Sequence, residues 1–261
     1  MTLERTNILG VEVSAINMAM ALDTVDQWIA ERHHTYICVT GVHGVIECQN
    51  DPQLRRIQNQ AGLVTPDGMP LVWVSRLRNH RHVGRVYGPD LMADVCTVSV
   101  SKGYRHFLYG GAAGLPERLA DRLRQKFPGI EIVGTYSPPF RPLTPDEDEA
   151  IIERINESKA DIVWVGLSTP KQEYWMAAHL GRLEAPVMVG VGAAFDFLAG
   201  LKTQAPRWIQ RSGFEWLYRL VTEPRRLWRR YFKIVPLFLF YMTLDALGFR
   251  DRKDRVDRAA S

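Results

Sequence analysis

Along the middle of the chain, short apolar runs alternate with longer amphipathic stretches. Residues 106–109 are predicted as strand, 110–114 (GGAAG) as a small-residue turn, 115–127 as helix and 130–134 as strand. Helix 145–157, strand 161–166, helix 170–183 and strand 187–192 continue the series. Strands alternating with helices of this length imply βαβ units and a parallel sheet. Upstream, residues 23–32 carry Val25, Trp28 and Ile29 at helical spacing, and 36–40 form a β-rich run. Residues 46–60 read as helical with a break at Asp51-Pro52, 62–64 as strand and 69–77 as helix. A further helix is expected from Tyr87 through Val100, with Asp90 as its N-cap.

After Gly200 the pattern changes. A helix beginning at 205–208 carries Trp208, Phe214, Trp216, Leu217 and Leu220, and Glu223-Pro224 leads into a cluster of arginines. Residues 234–244 are then almost wholly apolar, with Pro236 inside. A spanning helix needs about 20 predominantly apolar residues, so this run is too short. Basic residues followed by an apolar, aromatic run suggest a helix lying in a membrane interface. The alternative is a C-terminal helix packed on the domain with its basic face solvated. The predicted class is therefore α/β, a Rossmann-like parallel sheet with flanking helices over residues 1–200. A basic, apolar C-terminal helical appendage follows over 201–249, then a charged tail over 250–261 that is expected to be disordered.

Composition narrows the classes. The chain has 261 residues, 46% hydrophobic and 24% charged, which excludes wholesale disorder. The net charge of +4 is concentrated near the C-terminus, where Arg207, Arg211, Arg219, Arg225, Arg226, Arg229, Arg230 and Lys233 meet only Glu215 and Glu223. Such a patch implies an anionic partner: phosphate, lipid headgroups or nucleic acid. Cys38, Cys48 and Cys96 are scattered without CxxC or zinc-finger spacing, so neither a disulfide framework nor a structural metal is expected. The N-terminus lacks a basic segment followed by an apolar one, so no signal peptide is expected and a reducing cytoplasm is the expected compartment.

Chemistry is sought on the loops that end strands, because ligands of open α/β sheets bind at the carboxyl ends. Thr65-Pro66-Asp67-Gly68 is one such loop, and Asp67 is its candidate working residue. Pro-Asp-Gly is also ordinary turn chemistry, with Asp bonding its own backbone and Gly supplying positive φ. Thr40-Gly41-Val42-His43-Gly44 is a second loop, in which His43 is either a proton carrier or a satisfied helix-terminal histidine. Arg85 is either a solvated charge or a phosphate or carboxylate contact. Gly110 and Gly111 open a turn that resembles a dinucleotide fingerprint only loosely, and no acid closes the next strand. Thr169, Pro170 and Gln172 fit a capping box, yet Lys171 and Gln172 there could equally hold an anionic ligand. Gly192 and Asp196 follow the last strand in the same way. Asp146-Glu147-Asp148 resembles a metal-binding DxD, but Thr144 and Pro145 make it a helix start. No metal site is predicted.

Taken together, PDGMP (66–70), RVYGPDL (85–91), FLYGG (107–111), TPKQE (169–173), GVGAAFDFLAG (190–200), QAPRW (204–208) and EWLYRL (215–220) closely resemble the WecG/TagA/CpsF glycosyltransferases, glycosyltransferase family 26. The resemblance runs in one order from about Gly10 to about Arg230. It implies metal-independent, inverting transfer of a hexose or N-acetylhexosamine, of the N-acetylmannosamine type, from a UDP-sugar to a polyprenyl-diphosphate-linked acceptor. It places the enzyme at the inner face of the cytoplasmic membrane, with an anionic lipid surface as partner and no cofactor. It implies Asp67 as general base, with Thr40 and His43 beside the acceptor. Substrate contacts would be Arg85, Gly110, Gly111, Tyr136, Lys171, Gln172, Gly192 and Asp196. Arg219, Arg226 and Arg229 match the arginines that meet diphosphate and membrane. Many members carry Thr-x-Asn-x-Glu after the first strand; here the Asn is missing, and Thr40 or His43 stands in its place. A homo-oligomer is compatible with the resemblance and decided by no residue. The rival readings are an NAD-dependent oxidoreductase, a membrane-docked nucleotide binder without turnover and, disfavoured by the apolar run beside the arginines, a nucleic-acid binder.

Overall fold

The computed structural model describes residues 3–248; the tail expected at 250–261 lies outside the described residues. Six strands form one sheet in which every neighbouring pair is parallel. In chain order they are β3 (Thr35–Thr40), β4 (Leu63–Pro66), β5 (Arg105–Gly110), β6 (Glu131–Tyr136), β7 (Ile162–Gly166) and β8 (Val187–Gly190). Across the sheet the order is β4-β3-β8-β7-β5-β6. All six carboxyl ends therefore share one edge.

The strands read as continuous apolar runs because both faces are covered. Tyr36, Cys38, Phe107, Tyr109, Val163, Val165 and Met188 point into one core. Ile37, Leu108, Ile162, Trp164, Val187 and Val189 alternate with them into the other. Buried side chains of α2 (Val42–Asn50), α3 (Pro52–Gln60), α7 (Pro145–Glu157) and α8 (Lys171–His179) fill the first core. Those of α1 (Met18–Ala30), α5 (Gly88–Lys102), α6 (Leu115–Lys126) and α9 (Ala194–Leu198) fill the second. One polar pair sits inside the second layer: Trp164 Nε1 donates to His106 Nδ1 at 2.9 Å, and burial lowers the His106 pKa to about 4, which keeps the ring neutral and able to accept.

An antiparallel hairpin, β1 (Arg5–Ile8) and β2 (Val11–Ser14), flanks edge strand β4, where Val64 N donates to Ser14 Oγ at 3.0 Å. This hairpin was not expected from the alternation. Helix α4 (Met69–Leu77) follows β4 as expected. Thr144 and Glu147 close a capping box on α7, which confirms the acidic run as a helix start.

Several sequence expectations are corrected. Asp90 lies in the first turn of α5 and pairs with Arg207 at 2.5 Å, while Tyr87 holds the N-cap position. The 169–172 capping box does not form: α8 begins at Lys171, and Thr169 Oγ1 donates instead to Glu173 Oε1 at 2.8 Å. The helix expected from 205 is split at Gly213, whose φ of +79° ends α10 (Arg207–Ser212) before α11 (Glu215–Thr222).

The arginine cluster and the apolar run form one helix, α12 (Pro224–Ala246), with Pro236 inside. Leu227, Ile234 and Phe238 are buried, and Ile234 and Phe238 join the first core beside α2. Arg78 pairs with Asp245 near its end. Trp228, Phe232, Leu239 and Phe240 are exposed. No helix among the described residues is long and apolar enough to cross a membrane.

Candidate functional site

Asp67 follows β4 at the shared carboxyl edge. Its loop is stitched to its neighbours by backbone: Asp67 N donates to Thr40 O at 3.0 Å and Val86 N to Pro66 O at 3.0 Å. Gly68 has φ of −105°, and Asp67 Oδ1 accepts from Gly88 N at 3.1 Å rather than from its own loop. The local-turn alternative is thus not what this segment does. No donor among the described residues reaches Oδ2. Gly41 adds no bulk beside that oxygen, since a Cβ built on it would stand only 3.7 Å away. Burial pushes the Asp67 carboxyl above the ordinary carboxylate range. Arg85, the Gly88 amide and Arg219 pull it down, and Glu215 pushes it up.

Arg85 is not a solvated charge; its side chain is 15% exposed. Nε donates to the carbonyl of Asp67, Nη2 to Glu215 Oε2 at 2.6 Å and Nη1 to Gln210 O at 3.4 Å. The guanidinium also lies 4.1 Å from the centre of the Tyr87 ring. A planar fork with fixed donor directions suits such a three-way junction.

Thr40 ends β3 next to Asp67, but its hydroxyl is buried and donates to Gln58 Oε1 at 3.0 Å. His43 stands in the first turn of α2, with Nε2 3.3 Å from Glu47 Oε1. This is the geometry of a helix-terminal histidine with a partner. Burial and then Arg230 lower its pKa to about 4, so the ring is neutral at pH 7 and the Glu47 contact is no ion pair there.

A cleft of about 1070 Å³ opens over the ends of β5, β7 and β8, a size that suits a small-molecule ligand. Gly111, Lys171, Gly192 and Asp196 line it, together with Tyr109, Ser168, Trp175, Arg182 and the proline-rich segment 138–145. Gly110 underlies it: with φ of +119° it packs against Gly166, whose backbone a Cβ would meet at 2.8 Å. Tyr136 ends β6, stacks on Tyr109 with centroids 5.9 Å apart and lies outside the cleft lining. Asp196 is engaged by Lys202 at 2.8 Å. Gln172 is buried beneath the loop, its Oε1 3.3 Å from a Cβ built on Gly192 and without a hydrogen-bond partner among the described residues. Its Nε2 donates to Glu173 Oε1 at 3.2 Å. Glu173 is fully buried, and burial pushes its carboxyl up.

Asp67 itself does not line this cleft. β4 stands two strands from β8, about 10 Å at the usual strand spacing. Gly88 spans part of the gap: it donates to Asp67, and a Cβ built on it would stand 3.7 Å from Val191 O, one residue before the cleft-lining Gly192. Arg219 reaches the same neighbourhood from α11, 5.7 Å from the Phe197 ring centre. Arg229 is exposed on α12 against Trp228. Arg226 lies in α12, its side chain outside those described. The structure thus gathers Asp67, Arg85, Thr40 and Arg219 at one end of the edge and Lys171, Gly192 and Asp196 at the other.

Sequence reasoning missed Glu215, Gly88, Gln210 and Glu173. Glu215 had a signal, being one of two acids in an arginine-rich stretch. The Gly88 amide had none, because a backbone donor is anonymous in sequence.

Among the described residues no group of three or more His, Cys, Asp or Glu gathers to hold a metal ion. The model of the glycosyl transferase WecG/TagA/CpsF family matches residues 6–252. An N-acetylglucosaminyldiphosphoundecaprenol N-acetyl-beta-D-mannosaminyltransferase of Bacillus spizizenii is 34% identical over 188 residues, covering 72% of this chain and 71% of the relative. A protein of the same name from Staphylococcus aureus is 26% identical over 238 residues, covering 90% and 91%. With the matched segment extending over nearly all of the fold described above, the chain belongs to the WecG/TagA/CpsF family of glycosyl transferases.

Proposed function

We propose that this protein transfers a hexose or N-acetylhexosamine, of the N-acetylmannosamine type, from a UDP-sugar to a polyprenyl-diphosphate-linked acceptor. The carrying observation is Asp67: a carboxylate held on one oxygen by the Gly88 amide, open on the other, at the sheet edge that also bears the large cleft. The activity in the names of the Bacillus and Staphylococcus relatives supports the substrate classes.

In this reading the cleft holds the UDP-sugar in a Rossmann-like arrangement at the strand ends, with Lys171 facing the diphosphate, while Arg182 in the same lining is held by Asp148 at 2.9 Å and Glu149 at 2.8 Å. The acceptor hydroxyl oxygen attacks the anomeric carbon from the face opposite UDP. Asp67 takes the hydroxyl proton, the bond from the anomeric carbon to the UDP oxygen breaks, and its electron pair leaves with UDP. Attack opposite the leaving group inverts the anomeric centre. Cationic side chains, without a metal, stabilise the leaving charge. Arg229, Trp228 and Phe232, exposed on α12, seat the protein on the anionic inner face of the membrane, where the lipid-linked acceptor resides.

The test is UDP release from a panel of UDP-sugars, with and without a short-chain polyprenyl-diphosphate-linked sugar, for wild type and Asp67→Asn. Acceptor-dependent release with one donor, lost in the variant, is expected. No release with any pair, alongside UDP binding by calorimetry, would leave a nucleotide binder instead.

A further inference from the structure

We propose that Glu215 is a positioning residue for the Asp67 site: it holds the Arg85 guanidinium against the Asp67 carbonyl. The inference rests on the reading of Asp67 as the base and extends it to a residue with no role so far.

The chain of contacts is short. Glu215 opens α11 and meets Arg85 Nη2 at 2.6 Å, with both side chains largely buried, 11% and 15% exposed. A buried guanidinium whose partner is removed is left with an uncompensated charge and moves to find another. The alternative acceptor at hand is Asp67, whose backbone already receives Arg85 Nε. Arg85 also begins the segment that carries Val86, bonded to Pro66 O, and Gly88, bonded to Asp67 Oδ1. Fixing Arg85 therefore fixes the loop that aims the carboxylate. Gln210 of α10 adds its carbonyl to the same guanidinium, so two C-terminal helices converge on one side chain.

The charged and titratable groups that face Asp67 are Arg85, Glu215 and Arg219, with Tyr87 beside them. Glu215 balances one of the two cations. Without its charge, Arg85 and Arg219 act on Asp67 unopposed, its proton affinity falls and it becomes a weaker base. A residue that merely packed α11 would not alter that affinity.

The test compares the full-length protein with Glu215→Gln and Glu215→Asp in two measurements. In UDP-release kinetics across pH, Glu215→Gln is expected to lower kcat by about 100-fold, the scale of a small misplacement at a reacting centre, with donor KM little changed. The acid limb of its pH profile moves to lower pH, and Glu215→Asp, which keeps the charge, restores the limb toward wild type. In amide hydrogen exchange, which needs no substrate, Glu215→Gln is expected to deprotect Gly88 and the segment around Arg85 as well as α11. Wild-type kcat and an unmoved acid limb in Glu215→Gln, or deprotection confined to α11, would overturn the proposal. If wild type itself turned over no donor and acceptor pair, the glycosyl-transfer reading would fail separately, and exchange at Gly88 would still decide whether Glu215 positions this loop.

Discussion

The backbone amide of Gly88 donates to one oxygen of Asp67 at 3.1 Å, and no donor among the described residues reaches the other oxygen. A carboxylate satisfied on one side and bare on the other is costly to ionise, and burial raises its pKa accordingly. The folded protein then holds a proton at pH values where the unfolded chain has lost it. Stability contributed by this group falls as pH rises through that window, and the penalty persists above it. Asp67→Asn keeps an acceptor for Gly88 and removes the ionisation. It is expected to reduce UDP release by about 10²–10⁴-fold, the usual share of a general base. The same variant should melt above wild type at pH 8, with the gap closing toward about pH 3.9, where unfolded Asp titrates. Calorimetric melting across pH checks this; a variant that melts lower at pH 8 would contradict the assignment of strain to the carboxylate.

His43 titrates in the opposite sense. Its folded pKa, lowered to about 4 by burial and Arg230, lies below the unfolded value of about 6.5. The unfolded chain binds the proton first, so wild type loses stability as pH falls from about 6.5 toward about 4. His43→Gln is expected to flatten the decline in that window. Equal slopes for the two proteins in urea titrations at pH 7, 6 and 5 would argue against a neutral, buried His43.

Glu173 gathers two donors on one oxygen, the Thr169 hydroxyl at 2.8 Å and the Gln172 amide at 3.2 Å, while its Oε2 has no partner among the described residues. Burial raises its pKa, so its ionisation weakens the fold as pH rises. Glu173→Gln retains an acceptor for both donors and is expected to match or exceed wild-type stability at pH 8. Glu173→Ala strands Thr169 and Gln172 and should cost about 1–3 kcal/mol for each buried group left unpaired. Denaturant melts of the two variants separate the hydrogen-bond role from the charge.

α12 has two apolar faces with different expected consequences. Phe238 is in the core, and Phe238→Ala should cost about 3–5 kcal/mol. Phe232 is 74% exposed, and Phe232→Ser with Trp228→Ser should change stability by only about 0.5 kcal/mol at each site. If the outer face docks on lipid, that double variant loses sedimentation with anionic vesicles while Phe238 stays buried. Truncation at Ile234 would not separate these effects, because it removes core residues together with the exposed ones.

Much of the architecture was legible in the chain. Alternating apolar runs and amphipathic stretches specify strands and helices locally, and a parallel sheet requires the crossovers that the pattern displays. The loop bearing Asp67 was legible for the same reason, since it ends one run and begins the next. The β1–β2 hairpin escaped because its strands are short, and the break at Gly213 because a left-handed residue inside an amphipathic stretch leaves the spacing intact. Tertiary structure alone decided the environment of Asp67. Gly88 lies 21 residues away and Glu215 148, and no local rule ties a carboxylate to a backbone amide or a balancing charge at such separations. It also decided that α12 lies on the domain, because an apolar face is indifferent to whether protein or lipid covers it. Period and turn chemistry are properties of neighbours in sequence, whereas desolvation and charge balance are properties of neighbours in space, which only the folded chain creates.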